Sequence, residues 1–152
     1  MSAKESYWRY VEPIWDAVSI YDGGETFVSQ FARVTNRQQV LFATHWAQSE
    51  ILNGGLGQFF SNSTGVLAPE AVDGFRKLGM PKCASAIEEA MRFFGEPYPR
   101  DSGIRQGILE QFFAQHEDEI PLLESEDIVA VEIEAENGGF ETAANQYANA
   151  KA

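Results

Sequence analysis

Glycine and proline punctuation constrains this chain more than any other feature. Six prolines and the pairs Gly23-Gly24, Gly54-Gly55 and Gly138-Gly139 cut it into short stretches. Within most of these stretches apolar residues return three and four places apart, the period of an α-helix packed on one side. Trp8, Val11, Trp15 and Val18 make the first such face, with Pro13 expected to kink it and to open a second helix. Residues 25–34 follow as a short helix with Phe27, Val28 and Phe31 inward. Asn36 is placed as the N-cap of a helix over 37–53. That helix carries Val40, Leu41, Thr44, Ala47 and Ile51 on one face and Phe42 and Trp46 on a second stripe, so it should be the buried centre. Asn53-Gly54-Gly55 is expected to end it, as Asn137-Gly138-Gly139 would end a later helix.

Pro69 starts a further helix with Val72, Phe75 and Leu78 inward, and Pro81 starts the next, with Ala84, Ile87, Met91 and Phe94 inward. Residues 102–116 read as a helix with Ile104, Ile108 and Phe112 inside, and 140–149 as a last one carrying Phe140, Ala143, Ala144 and Tyr147. Residues 131–136, VEIEAE, alternate like a strand, yet Asp127, Ile128, Val131 and Ala135 also suit a helix. Helix is the expectation, because a lone strand has nothing to pair with. The whole reads as all-α: one compact domain over 1–152 with about seven to eight helices.

Charge divides the chain differently. The net charge is −12. Residues 1–100 hold 11 acids and 9 bases, whereas 101–152 hold 12 acids and 2 bases. No Lys or Arg occurs from Gln106 to Ala150. Such a chain is repelled by nucleic acid and by anionic membranes, so direct binding to either is discarded. The acids Glu117, Asp118, Glu119, Glu124, Glu126, Asp127, Glu132, Glu134 and Glu136 place nine charges in 20 residues. On one continuous helix that is a charge per ~3.3 Å, close to the ~3.4 Å of one DNA strand. Two readings stay open: an ordinary solvated face, or an electrostatic docking surface.

Catalytic signals are weak. His45 has Ser49, not a second histidine, one turn on, and reads as a core histidine bonded to a neighbour. His116 sits in an acidic run and reads as solvated. Cys83 is the only cysteine, which excludes an internal disulfide and fits a reducing, cytoplasmic setting. Lys82 beside it would lower its pKa, but a structural role is the expectation. The glycine pairs lack the lysine and strand of a phosphate loop. Neither catalysis, metal nor cofactor is expected, and no window is apolar enough to span a membrane.

Residues 41–81 add a resemblance. Glu50, Asn53-Gly54-Gly55, Gln58-Phe59-Phe60 and Asn62 together resemble the phrase of a bacterial DNA-mimic-protein family. The similarity continues through FFGEPYPR at 93–100 and ENGGFETAANQYA at 136–148, although Leu56 stands where an aromatic residue is expected. The phrase itself looks like a helix stop and core element, not a binding site. The resemblance implies an all-helical homodimer whose acidic surface meets a basic DNA-binding protein, such as a helix-turn-helix transcription factor. Competing readings are an immunity or antitoxin-type inhibitor of a basic toxin or nuclease, an acidic scaffold without mimicry, and, last, a small enzyme around His45, Glu50 or Cys83.

Overall fold

Local chemistry at its first turn fixes where the longest helix begins. A computed structural model describes residues 6–115 and 122–151, and within them the chain is all-α. The central helix α3, Asn36–Ser61, starts at Thr35 and not at Asn36. Thr35 has extended backbone; its hydroxyl accepts from Gln38 N at 3.2 Å, while the Gln38 side chain accepts from Thr35 N at 3.1 Å. This reciprocal capping box satisfies two orphan donors, which Asn36 could not do.

Around α3 lie α1 (Trp8–Val11), α2 (Gly24–Phe31), α4 (Ala68–Lys77), α5 (Pro81–Arg92), α6 (Ser102–Gln115), α7 (Leu122–Ala135) and α8 (Phe140–Asn149). Helices α1, α4, α6, α7 and α8 all pack on α3, and α5 bridges α4 to α7. The expected centre is therefore the centre: Val40, Leu41, Thr44, Ala47 and Ile51 are all buried, with Phe42. Residues 128–135 are helix, as part of α7. Pro13 opens only a 3-10 turn, Glu12–Ile14, and not a second helix.

The glycine pairs do more than stop helices. Gly55 breaks α3 but does not end it; its φ of 81° and ψ of −179° redirect the axis and the helix resumes to Ser61. Gly23 (φ 92°, ψ 169°) and Gly139 (φ 92°, ψ 163°) hold the same conformation immediately before α2 and α8. This region is essentially restricted to glycine. Each pair thus supplies a helix opening, and the third also follows a helix stop as expected: α7 ends at Ala135, with Asn137 (φ 53°) and Gly138 (φ 85°) in the left-handed region before Gly139.

Three predicted inner faces are rotated. In α2 Phe27 is buried and stacks on Phe31 at 5.1 Å, which turns Val28 outward to 45% exposure. In α6 Ile104 is 55% exposed and the buried pair is Arg105 and Leu109. In α7 the buried stripe is Leu122, Ser125, Val129 and Ile133, so Ile128 and Val131 face out at 44% and 63% exposure. Arg105 explains α6. Its Nε donates to Phe60 O (2.8 Å), one terminal nitrogen to Asn62 O (3.0 Å), and the other to Pro99 O and Arg100 O (3.1 and 2.5 Å). A cation on the carbonyl end of α3 meets both the unpaired acceptors and the negative pole of the helix. That demand outweighs burying Ile104.

Candidate functional site

The acids singled out from sequence fall into three groups. Glu117, Asp118 and Glu119, with His116, lie outside the described residues. Glu126, Glu132 and Glu136 turn toward the protein. Glu136 accepts from the backbone N–H groups of Lys82 (2.7 Å) and Cys83 (3.0 Å), so it caps the N-terminus of α5. Glu132 is mostly covered and lies 3.8 Å from Lys82 Nζ. Glu126 folds over the break in α3: a Cβ at Gly55 would stand 1.8 Å from its Oε1.

Glu124, Asp127 and Glu134 form the third group, and all are exposed. Their spacing, i, i+3, i+10, puts them on the outer face of α7, opposite the buried stripe. Ile128 and Val131 lie between them. Over the ten residues from Glu124 to Glu134 the helix rises about 15 Å, so these carboxylates recur every ~7 Å along the axis. The charge density inferred from continuous sequence is therefore halved, because a helix sends its acids to all sides and three of them serve the fold. Glu134 is supplemented by Glu141 of α8, since both line one cavity of about 430 Å³ whose described wall residues include no Lys or Arg.

The phrase from Glu50 to Asn62 is a clasp across the break in α3. Glu50 Oε1 accepts from Gln58 Nε2 at 3.2 Å and from Asn62 Nδ2 at 2.5 Å. Gln58 reaches back by crossing Gly54, where a Cβ would sit 1.8 Å from its Oε1. The two glycines thus differ in what they contribute, since Gly54 leaves room for the glutamine and Gly55 supplies the dihedral angle. Phe59 and Phe60 anchor the second segment in the core. Beyond them the helix end is fully satisfied. Thr64 Oγ1 donates to Phe59 O (2.9 Å), Arg105 to Phe60 O and Asn62 O, and Gln106 Nε2 to Ser61 O (2.7 Å). Sequence reading missed Arg105, though a lone base in the strongly acidic stretch from 101 to 150 was a signal.

His45 and Cys83 do not converge with Glu50 into a catalytic group. The His45 ring is half-buried, with Nδ1 2.8 Å from the Tyr7 hydroxyl and the rings of Trp8 and Trp15 at 4.9 and 5.8 Å. Burial lowers its pKa below the usual value of 6.5. Burial, aided by the negative charge of Glu141, pushes Tyr7 up to about 12. Cys83 is buried; desolvation first and then the carboxylate of Glu136 raise its pKa, so the lowering expected from Lys82 is overturned. Such a thiol is a poor nucleophile. Among the described residues no three His, Cys, Asp or Glu side chains gather as a metal site would need. No described helix is long and apolar enough to cross a membrane.

The family model described as DMP19-like protein covers residues 32–150. No curated protein and no solved structure matches the chain.

Proposed function

The chain belongs to the DMP19-like protein family, and from that premise we propose that it is an acidic protein-binding module and a DNA mimic. In this reading the carboxylates on the outer face of α7, with Glu141 beside them, stand in for phosphates. They occupy the Arg/Lys surface of a DNA-binding protein, of helix-turn-helix type or another basic class. The observation that carries it is the outward row Glu124, Asp127 and Glu134 in a stretch without Lys or Arg from Gln106 to Ala150. Glu117, Asp118 and Glu119 extend the same acidic stretch in sequence and belong to the proposal. A homodimer, as the family resemblance implies, and a cytoplasmic setting complete the reading; light scattering on the purified chain tests the first.

The decisive experiment is capture of partners from nuclease-treated host lysate on the immobilised protein. Recovery of a basic DNA-binding protein, competed off by duplex DNA and lost as salt rises, supports mimicry. The variant E124Q/D127N/E134Q keeps each side chain's size and removes three charges, so it should lose that partner while melting like the parent at moderate salt. If it binds unchanged, these acids only solvate the surface. Recovery of a nuclease or toxin blocked at its catalytic cleft, and not at a DNA-reading surface, points to the inhibitor class instead.

A further inference from the structure

Two adjoining cavities share the walls Ile20, Tyr21 and Trp46. The larger, about 320 Å³, also contains Glu50 and Asn62; the smaller, about 210 Å³, has Asp16 at its edge. Among the described residues no Lys or Arg lines either one. Its described walls therefore carry two carboxylates and no cation.

Glu50 is held as a recognition group would be. Both amides of the clasp, from Gln58 and Asn62, donate to Oε1, which leaves Oε2 for a ligand and locks the carboxylate plane. Trp46 stands one helical turn before Glu50, and therefore on the same side of α3. Its ring is stacked on Trp15 at 4.8 Å with an interplanar angle of 16°, so it presents a fixed face. Tyr21, 72% exposed, lines both cavities and gives a second ring. A fixed carboxylate beside a fixed indole suits a planar cation on an apolar stem. Guanidinium meets all three demands: charge for Oε2, a flat face for indole, and methylenes for Ile20. An ammonium lacks the flat face, and an anion is repelled.

We propose that this groove is an anchor site for an arginine side chain of a protein partner. Assigning that arginine to the DNA-binding partner rests on the function proposed above; the site itself does not. The clasp then acts twice over. It holds the break in α3 together, and it orients the carboxylate that the arginine meets.

The test is titration of isotope-labelled protein with N-acetyl-arginine methylamide, following the Trp46 indole N–H by NMR. The uncharged citrulline counterpart is the control. A saturable shift at Trp46 and the Tyr21 region is expected, with half-saturation at about 1–10 mM. The citrulline probe and the Glu50→Gln variant should each bind at least ~10-fold more weakly. Glu50→Gln keeps an oxygen for Gln58 and Asn62, so its melting temperature should stay near that of the parent. If it unfolds, Trp46→Leu replaces it, with the same loss expected. Unchanged binding by the variant, or shifts centred on α7, overturns the site. The two proposals fail separately. If the probe misses Glu50 while E124Q/D127N/E134Q still abolishes partner capture, the anchor site alone falls. If the probe binds at Glu50 and that triple variant captures its partner unchanged, mimicry by α7 alone falls.

Discussion

Adjacent glycines in this chain carry different burdens, and substitution should separate them. Gly55→Ala forces an L side chain into a dihedral region reserved for glycine and drives it into Glu126. We expect a loss of about 1–3 kcal/mol in urea unfolding. Gly54→Ala strains no left-handed dihedral angle, but its Cβ would meet Gln58 from Oε1 (1.8 Å) to the backbone-fixed Cβ (2.9 Å), so the Gln58–Glu50 bond must break and the backbone shift. A loss of about 1–3 kcal/mol is expected here too, reduced in a Gln58→Ala background for Gly54→Ala but not for Gly55→Ala. If the Gln58→Ala background relieves Gly55→Ala as much as Gly54→Ala, the clasp, and not the backbone angle, holds the break. Asn-Gly-Gly was legible as punctuation, but whether glycine closes one helix or opens the next depends on ψ, which no residue name encodes. His45 offers a second residue-scale test. Its folded pKa lies below 6.5, so folding favours the neutral ring. That contribution is complete above pH 6.5 and is lost as pH falls through the folded pKa. The stability difference between the parent and His45→Gln should therefore shrink from pH 7 to pH 5. Trp8 and Trp15, at 4.9 and 5.8 Å from the imidazole, should dim over the same interval as the ring becomes cationic. A pH-independent difference would show that the imidazole does not titrate separately in the folded chain.

Helical content was readable at the scale of elements, whereas the rotation of individual helices was not. Period and punctuation located most of the helices within a few residues, including α7, whose alternating VEIEAE invited a strand. Its buried stripe of Leu122, Ser125, Val129 and Ile133 includes a serine, which a hydrophobic pattern skips in favour of Ile128 and Val131. In α6 the error has a sharper cause, since a charged residue takes the innermost position. Hydrophobic periodicity cannot anticipate a side chain recruited to cap another helix. Replacing Arg105 tests that cause. Arg105→Met preserves much of the volume but leaves Phe60, Asn62, Pro99 and Arg100 carbonyls short of donors. A destabilisation of at least ~3 kcal/mol is expected from chemical denaturation. Arg105→Lys should recover only part of it, because three donors on a flexible stem cannot match the planar fork. A fully stable Arg105→Met would mean that water or a turn of α6 satisfies those carbonyls.

Over the whole molecule, the same charges oppose folding and favour binding. Among the described residues the ion pairs join Arg76, Lys82, Arg92 and Arg100 to acids, and only Lys82 reaches an acid beyond residue 100. The acids of α7 and α8 therefore repel one another with little compensation, in a chain of net charge −12. Salt should act in opposite directions on the two properties. Between 0.01 and 0.1 M ionic strength the screening length falls from about 30 Å to about 10 Å. Self-repulsion across the acidic face is damped, so the melting temperature should rise with NaCl. Attraction to a basic partner is damped by the same screening, so its association rate should fall. The charge-reduced variant E124Q/D127N/E134Q should lose part of both dependences at once. It should melt higher than the parent in low salt, approach it in high salt, and show a flatter salt profile in whatever partner binding remains. Opposed slopes that shrink together would identify the outer face of α7 as the source of both effects. A melting temperature that falls with salt would mean that the few ion pairs outweigh the repulsion, and the acidity would then have to be explained without a cost to the fold.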